Sequence, residues 1–122
     1  MKKILLIDDE EDFCYFLKIN MELYGGYKII ISSDLKKVVK TARRHKPDII
    51  LLDIMMPDIS GFEILKQLKN DKKISSIPVI LLTARDDEES KNKGMELGAE
   101  EYIIKPFEIE NLKDKIEKII NR

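Results

Sequence analysis

Short, uninterrupted runs of hydrophobic residues recur along the chain and alternate with segments whose apolar residues follow helical spacing. Several of the runs are rich in β-branched residues, as strands covered on both faces of a sheet require. The runs predict five strands, at residues 4–7, 29–31, 49–52, 79–82 and 103–104. Strict alternation of strand and helix implies parallel strands with right-handed crossovers and helices on both faces of the sheet. We therefore predict a doubly wound α/β fold.

The segments between the runs predict five helices, each with an apolar stripe against the sheet. Four of the stripes are well populated: Phe13, Leu17, Met21 and Tyr24; Leu35, Val38, Val39 and Ala42; Ile64, Leu65 and Leu68; and Ile109, Leu112, Ile116 and Ile119. The fourth helix differs, because residues 86–93 include no apolar residue. Its anchors are mainly Met95 and Leu97, so we expect it to be the least firmly packed element.

Length and composition predict one compact domain over residues 1–122. Hydrophobic residues make up 43% and charged residues 37% of the chain, which is typical of a globular protein with a charged surface.

Because acidic and basic residues are interleaved and the net charge is -1, we expect no direct nucleic-acid binding. The apolar runs are too short for a bilayer span or a signal peptide, so we expect a cytoplasmic protein without membrane contact. The single cysteine, Cys14, excludes an internal disulfide and is expected in the core.

Polar residues stand at the carboxyl ends of four predicted strands. Asp8 and Asp9 follow the first strand, Asp53 the third, Thr83 the fourth and Lys105 the fifth. In a doubly wound sheet these ends lie at one edge, where ligands bind. Three carboxylates held close together repel one another, and they persist only if a cation neutralises them or one keeps its proton. The pattern therefore predicts a metal-dependent site.

Each of these residues also has a structural explanation when it is taken alone. An Asp between a strand and a helix often caps the helix, as we expect for Asp34, and Thr83 would fit the same role. Lys105 alone would fit a solvated surface lysine. Capping needs only one carboxylate per helix, however, and gains nothing from two adjacent carboxylates that face a third. We therefore favour a functional site.

Phosphoryl transfer onto a carboxylate is the chemistry that suits this set of residues. Asp8 and Asp9 would hold Mg²⁺, which prefers hard oxygen ligands and for which Mn²⁺ would be a substitute, and the Met55 carbonyl would add a further oxygen. Asp53, itself a metal ligand, would attack the incoming phosphorus and become an aspartyl phosphate. The ammonium of Lys105 and the hydroxyl at the end of the fourth strand would then contact phosphoryl oxygens.

Four motifs stand in order along the chain: Asp8-Asp9; Asp53-Ile54-Met55-Met56-Pro57 with Gly61; Thr83-Ala84; and Tyr102 through Lys105-Pro106-Phe107. Together they resemble the receiver domain of bacterial two-component response regulators, over residues 2–121. The resemblance implies a flavodoxin-like fold, with a five-stranded parallel sheet of strand order 2-1-3-4-5 and helices on both faces. It also makes the Lys105–Pro106 bond a candidate cis peptide.

The resemblance further implies a phosphorylation switch. A sensor histidine kinase or a histidine phosphotransfer protein would donate the phosphoryl group to Asp53, and the chain would catalyse only its own phosphorylation and dephosphorylation. Thr83, Ala84 and Lys105 would contact the attached group, and Tyr102 would rotate into the space that Thr83 vacates. The surface of the fourth helix, fifth strand and fifth helix would change as a result and control a downstream protein or an output domain.

Three positions bear on how the implied switch would behave. Met55 and Arg85 lie two residues after Asp53 and Thr83, where family members tune the lifetime of the aspartyl phosphate. Because Met55 is apolar, we expect that it does not orient an attacking water. Lys115 stands where regulators that dimerise through this surface often carry Arg. Since Lys cannot reproduce a bidentate Arg contact, a phosphorylation-dependent homodimer is less strongly implied.

Proteins of three other classes share parts of this pattern. Haloacid dehalogenase phosphatases carry Asp-x-Asp, whereas the second residue after Asp53 here is Met55. Flavin- and nucleotide-binding domains need a phosphate-binding loop after the first strand, and the acidic residues 8–12 would repel a phosphate. A histidine phosphotransfer protein needs an exposed catalytic histidine, and His45 is better explained as a solvated residue near a helix end. These classes are therefore disfavoured.

The output of the switch has two interpretations. In the first, the chain is a natural single-domain regulator that binds a partner through its switching surface. In the second, it is the receiver part of a longer regulator, because residues 91–102 and 105–107 look somewhat like receivers joined to winged-helix transcription factors. We expect no output domain between the fifth helix and Arg122, and the sequence identifies no cognate kinase, input or target.

Overall fold

The computed structural model describes residues 1–32 and 34–122 of the chain. Its strands are β1 (Lys2–Ile7), β2 (Tyr27–Ser32), β3 (Ile49–Leu52), β4 (Val79–Thr83) and β5 (Glu101–Ile104). Its helices are α1 (Glu11–Tyr24), α2 (Val38–His45), α3 (Gly61–Asn70), α4 (Glu88–Glu96) and α5 (Ile109–Ile120). A short 3₁₀ turn, Leu35–Lys37, precedes α2. The predicted alternation of strands and helices is confirmed.

The five strands form one parallel sheet with the order β2-β1-β3-β4-β5, as predicted. The side chains of β3 and of residues 4–7 in β1 are buried on both faces, which is why these strands are continuous apolar runs. Ile7 pairs with Leu52 and Leu52 pairs with Leu81. This register brings the carboxyl ends of β1, β3 and β4 to the same edge of the sheet.

Successive strand residues point to opposite faces of the sheet, and different helices cover each face. One core contains residues of α2 and α3 together with the strand residues Leu5, Ile7, Ile50, Leu52, Val79 and Leu81. The other contains residues of α1 and α5 together with the strand residues Ile4, Leu6, Ile49, Leu51, Ile80 and Leu82. The layers therefore have the predicted doubly wound arrangement.

Helix α1 buries most of the predicted stripe. Leu17 and Met21 are buried together with Cys14, and Phe13 is partly buried against the same core, whereas Tyr24, the last residue of the helix, is 74% exposed. The Cys14 thiol donates a hydrogen bond to the Asp8 carbonyl oxygen at 3.6 Å. Burial raises the pKa of Cys14 to about 12. The thiol is therefore protonated at neutral pH, as suits a core residue.

Helix α4 packs on the sheet through small residues. Its buried residues are Ser90 and Gly94, and a Cβ atom at Gly94 would collide with the Leu81 side chain. Met95, which the sequence predicted as an anchor, is 43% exposed, because it follows Gly94 and so points about 100° away around the helix. Leu97 is half-buried against the core. Helix α4 therefore adds few large apolar contacts to the fold.

Three further expectations concern single features. The Asp34 carboxylate accepts a hydrogen bond from the Lys36 N–H at 3.1 Å and caps the 3₁₀ turn, as predicted. The Lys105–Pro106 peptide bond is cis. Within residues 1–32 and 34–122, no helix combines the length and the apolar character that a membrane span needs.

Candidate functional site

Two buried carboxylates lie at the carboxyl edge of the sheet, directly after β1 and β3. Asp8 is 4% exposed and Asp53 is 3% exposed. The Asp53 N–H donates to the Ile7 carbonyl at 3.0 Å, so the pairing between the strands continues one residue beyond β3 and fixes Asp53 beside Asp8. Thr83, fully buried at the end of β4, and Lys105, which follows β5, complete the predicted set at this edge.

The Lys105 ammonium bridges the carboxylates. Its Nζ donates to Asp8 Oδ2 at 2.7 Å and to Asp53 Oδ2 at 3.3 Å, and it lies 3.8 Å from Glu10 Oε1. The Lys105 side chain is only 12% exposed, which excludes a solvated surface lysine. One ammonium faces three carboxylates, so the site keeps a net negative charge when all four groups are ionised.

Burial and charge act in opposite directions on the Lys105–Asp8 pair. Burial by itself lowers the pKa of Lys105, but the hydrogen bond to Asp8 and the charges of Asp8 and Asp53 outweigh it, so the pKa of Lys105 is raised. Burial raises the pKa of Asp8, against the hydrogen bond and the charge of Lys105. The ammonium is therefore protonated at neutral pH, and the Asp8 carboxylate depends on it to stay ionised.

Backbone N–H groups orient both buried carboxylates. The Glu10 N–H donates to Asp8 Oδ1 and the Met55 N–H donates to Asp53 Oδ1, each at 2.9 Å. In both loops an Asp side chain binds the N–H group two residues further on, a turn that Asp favours. The other oxygen of each carboxylate, Oδ2, accepts a hydrogen bond from Lys105.

Gly61, the first residue of α3, lies against the backbone that carries Asp53. A Cβ atom at this position would overlap the Asp53 carbonyl oxygen and the Ile54 Cα atom. The Gly61 N–H donates to the Ile54 carbonyl at 3.3 Å, and the Ser60 hydroxyl caps α3 by accepting from the Phe62 N–H at 3.2 Å. Only glycine lets α3 approach this loop so closely.

Three carboxylates come close enough to share one metal ion. Asp8, Glu10 and Asp53 each offer an oxygen, and these oxygens lie within 4.8 Å of one another. The sequence predicted Asp8, Asp9, Asp53 and the Met55 carbonyl as ligands, so Glu10 was missed. The acidic run after β1 contained the clue, but the approach of Glu10 depends on the turn at Asp8. Asp9 is exposed and lines a groove between α1 and β2, and its role as a ligand stays a prediction.

The donor set suits Mg²⁺. Carboxylate oxygens are the hard ligands that Mg²⁺ prefers, and the negative charge of the cluster exceeds what Lys105 offsets. The Met55 side chain is exposed, while its N–H turns toward Asp53. The Met55 carbonyl as a metal ligand stays a prediction.

Hydrogen bonds link the predicted switch residues through the loop after β4. The Thr83 hydroxyl accepts from the Arg85 N–H at 3.3 Å, and the Tyr102 hydroxyl donates to the Arg85 carbonyl at 2.7 Å. Tyr102 is buried, whereas Ala84 is exposed and lines an open groove with Lys105. Tyr102 is thus attached to the loop that carries Ala84 and Arg85.

Residues 4–117 match the model of the response regulator receiver domain. The chain belongs to this family. Receiver domains are signalling proteins of two-component systems rather than ordinary enzymes, and phosphorylation and Mg²⁺ binding are characteristic of them. The resemblance that rested on the motifs at the strand ends is thereby confirmed, together with the flavodoxin-like fold.

Relatives of the receiver domain include bacterial transcription regulators. This chain is 41% identical over 121 residues to the alkaline phosphatase synthesis transcriptional regulatory protein PhoP of Bacillus subtilis, and the match covers 99% of this chain and 49% of PhoP. It is 36% identical over 121 residues to the phosphate regulon transcriptional regulatory protein PhoB of Pseudomonas aeruginosa, covering 99% of this chain and 52% of PhoB. The crystal structure of a two-component response regulator from Clostridium difficile superposes with a TM-score of 0.91 at 28% identity, covering 100% of this chain and 98% of that one. The chain spans about half the length of the curated relatives it matches.

Replacing Lys105 by methionine is expected to destabilise the metal-free receiver domain. The substitution leaves the buried carboxylates without their ammonium, a loss of the kind that costs about 3–5 kcal/mol. Urea unfolding in the presence of EDTA measures the change. Added Mg²⁺ should restore more stability to Lys105→Met than to the native chain, because the ion would neutralise the same carboxylates.

The matched control for this measurement is Lys91→Met, which removes an exposed lysine from α4. Its free energy of unfolding should change by no more than about 0.5 kcal/mol. Equal stability of Lys105→Met and the native chain in EDTA would show that Lys105 does not neutralise the cluster.

Proposed function

We propose that this receiver domain is a phosphorylation-dependent switch whose phosphoryl acceptor is Asp53. The observation that carries the proposal is the setting of the Asp53 carboxylate. It is almost fully buried, lies beside the carboxylates of Asp8 and Glu10, and accepts a hydrogen bond from Lys105. A carboxylate that is fixed in place beside cationic groups is suited to attack phosphorus, since its partners offset the charge that the phosphoryl group brings.

In the proposed reaction, an oxygen of the Asp53 carboxylate attacks the phosphorus of a phosphohistidine. A P–O bond to Asp53 forms while the P–N bond breaks, and the imidazole leaves with the electron pair of that bond and takes up a proton. Lys105 moves its hydrogen bond from the carboxylate to a phosphoryl oxygen, where its charge offsets that of the new group. With acetyl phosphate as donor, acetate is the leaving group.

Asp8, Glu10 and Asp53 would hold Mg²⁺, with Asp9 and the Met55 carbonyl as further candidate ligands. When bound, the ion would neutralise the carboxylates and stabilise charge on the transferred group. We include Mn²⁺ as a substitute because it also accepts carboxylate and carbonyl oxygens.

Incubation with Mg²⁺ and acetyl phosphate is expected to add one phosphoryl group to the native chain and none to Asp53→Asn. The amide of asparagine cannot supply the attacking carboxylate, although it keeps the size and shape of the side chain. Intact-mass measurement detects the adduct. Asp58→Asn is the matched control, because Asp58 is an exposed aspartate of the same loop and should leave the adduct unchanged.

Two results would contradict this assignment. An adduct on Asp53→Asn would mean that another residue is the acceptor. No adduct on the native chain, together with failure to form a beryllofluoride complex, would mean that the domain is a constitutive interaction module.

We propose that the end of β4 detects the phosphoryl group. The hydrogen bond from the Arg85 N–H to the Thr83 hydroxyl is long, at 3.3 Å, so a phosphoryl oxygen would compete well with Thr83 for this N–H and would itself accept a hydrogen bond from the Thr83 O–H. Movement there would reach Tyr102 through the Arg85 carbonyl. Helix α4 follows this loop and packs through small residues, so it can shift at low cost. The surface of α4, β5 and α5 is the proposed output face.

Met55 and Arg85 are the residues that we propose to set the lifetime of the phosphorylated state. Hydrolysis requires a water in line with the P–O bond to Asp53. Met55 has no polar side-chain atom that orients such a water, and the Arg85 guanidinium is paired with Asp87 at 3.1 Å. The native lifetime should therefore be long relative to a variant with a polar residue at position 55.

The Met55→Asn variant should lose its phosphoryl group several-fold faster than the native chain, because its amide orients the attacking water. The decay of the adduct after removal of acetyl phosphate gives the rate. Met95→Asn makes the same chemical change at an exposed site on α4 and should decay like the native chain. An unchanged lifetime for Met55→Asn would disprove the role of Met55.

The partner that we propose for phosphorylation is the histidine-bearing domain of a sensor kinase or of a phosphotransfer protein. Helix α1 begins at the site and carries exposed apolar side chains along its outer face: Tyr15, Phe16, Ile19 and Leu23. An exposed apolar row of this kind is typical of a protein interface. A helical partner lying along it would bring its histidine to the groove that opens beside Lys105.

A panel of sensor kinases is first tested for phosphotransfer to the native chain, which identifies a kinase that phosphorylates it. The Ile19→Ser, Leu23→Ser double variant should lose phosphotransfer from that kinase. Its phosphorylation by acetyl phosphate should be unchanged, because neither residue contacts the site. Ile104→Ser, an equally polar change at an exposed position of β5, is the control. Kinase-dependent rates that match the native chain would place the interface elsewhere.

We propose two alternatives for the output. The curated relatives are transcription regulators of about twice this length, which supports control of an attached effector domain in a longer protein. Binding of a separate protein to the α4, β5 and α5 surface is the other. The length of the native open reading frame decides between them. In either case we propose that residues 1–122 form a single receiver domain in the cytoplasm.

The remaining possible contacts are with a second copy of the chain and with nucleic acid. A homodimer through the α4, β5 and α5 surface would form only in the phosphorylated state, where Lys115, now 3.7 Å from Glu101 of the same chain, would need a new partner. Direct nucleic-acid binding is not proposed for this domain, whose net charge is -1. Helix α2 is basic and includes no acidic residue, but one of its basic groups, Arg43, is paired with Asp71.

A further inference from the structure

The Lys105 side chain lies on an aromatic ring as well as against the carboxylates. Its Nζ is 3.9 Å from the centroid of the Phe13 ring. The Phe107 ring meets Phe13 edge to face, with centroids 6.1 Å apart and planes at 80°. Phe13 belongs to the first turn of α1, and Phe107 follows Lys105 by two residues. Because the face of an aromatic ring attracts cations, this contact stabilises the ammonium where it lies.

The carboxylates and the ring act on Lys105 in different ways. The hydrogen bonds to Asp8 and Asp53 weaken once a divalent ion neutralises those carboxylates, as the proposed function requires. Phe13 carries no charge and does not ligate Mg²⁺. Its attraction for the ammonium therefore persists in every charge state of the site.

The position of the ring matters because Lys105 borders open space. Seven residues line a groove at this position, among them Phe13, Phe16, Lys105 and Phe107. A lysine side chain released from the carboxylates would sample many rotamers in this groove, and its ammonium would often lie away from Asp53. Contact with Phe13 offsets the entropy that is lost when the side chain stays at the site.

We propose that Phe13 is a positioning residue for the phosphorylation of Asp53. Its ring holds the Lys105 ammonium at the mouth of the site while the carboxylates exchange that ammonium for a metal ion, and Phe107 fixes the ring. Phe13 touches no reacting atom and acts only through Lys105. The effect on phosphorylation rests on the proposed function, whereas the hold of Phe13 on Lys105 does not.

Proton NMR of the metal-free protein tests directly whether the Phe13 ring contacts the Lys105 side chain. The face of the Phe13 ring should shift the Lys105 Hε protons upfield, and Phe13→Leu should abolish that shift while Phe13→Tyr keeps it. Tyr24→Leu is the matched control, because Tyr24 is an exposed aromatic residue at the far end of the same helix and is not the ring beneath Lys105. Phe13→Met serves as a second ring-free variant if Phe13→Leu folds poorly.

The rate of phosphorylation by acetyl phosphate at saturating Mg²⁺ tests the functional role. Phe13→Leu should be slower by about 2- to 30-fold, the range that a contact of this kind supports, whereas Phe13→Tyr and Tyr24→Leu should match the native chain. An unchanged Lys105 Hε shift in Phe13→Leu, or an unchanged rate despite loss of the shift, would overturn the proposal. If the native chain accepts no phosphoryl group, the proposed function fails, and the NMR comparison still decides whether Phe13 holds Lys105.

Discussion

The contact of the Lys105 ammonium with the buried carboxylates is the interaction on which the rest of the site depends. Asp8 and Asp53 are buried at the end of an apolar sheet, where an uncompensated charge is costly. The compensating charge comes from 97 residues further along the chain than Asp8. Strand order makes this compensation feasible, because β4 alone separates β5 from β3, and a lysine side chain is long enough to reach past it. The charge balance of the site therefore depends on the strand order of the fold.

Burial explains why so much of this arrangement was predictable from the sequence. A strand that is covered on both faces is apolar throughout, so its end is visible where the first polar residue appears, as at Asp8 and Asp53. Alternation with helices then required those ends to share one edge. The order of the strands was not derivable in this way, because the runs of β1, β3 and β4 have nearly the same composition. That order came from the resemblance to receiver domains, and the roles of the individual site residues stay predictions.

The sequence did not reveal features that depend on the direction of a loop or on the close approach of a helix to the sheet. Glu10 joins the carboxylate cluster because the turn at Asp8 brings it back toward the site, and its place in an acidic run does not specify that direction. Hydrophobicity favoured Met95 as the anchor of α4, whereas the close approach of α4 to Leu81 selects Gly94, which has no side chain to exclude. Apolar patterns identify buried faces well where packing is ordinary, and less well where a helix backbone lies directly against a neighbouring side chain, as at Gly94.

Arg85, in the loop after β4, links the end of β4 to β5 and to the residue that caps α4. The N–H of Arg85 donates to Thr83, its carbonyl accepts from Tyr102, and its guanidinium pairs with Asp87. Asp87 in turn caps α4 by accepting from the Ser90 N–H at 3.0 Å. A new anion beside Thr83 would compete for hydrogen bonds that this loop already makes, so it could not bind without disturbing a segment attached to both β5 and the start of α4. Because α4 has few large apolar contacts to resist such a change, Arg85 lies on the route that we propose from the carboxylates to the surface.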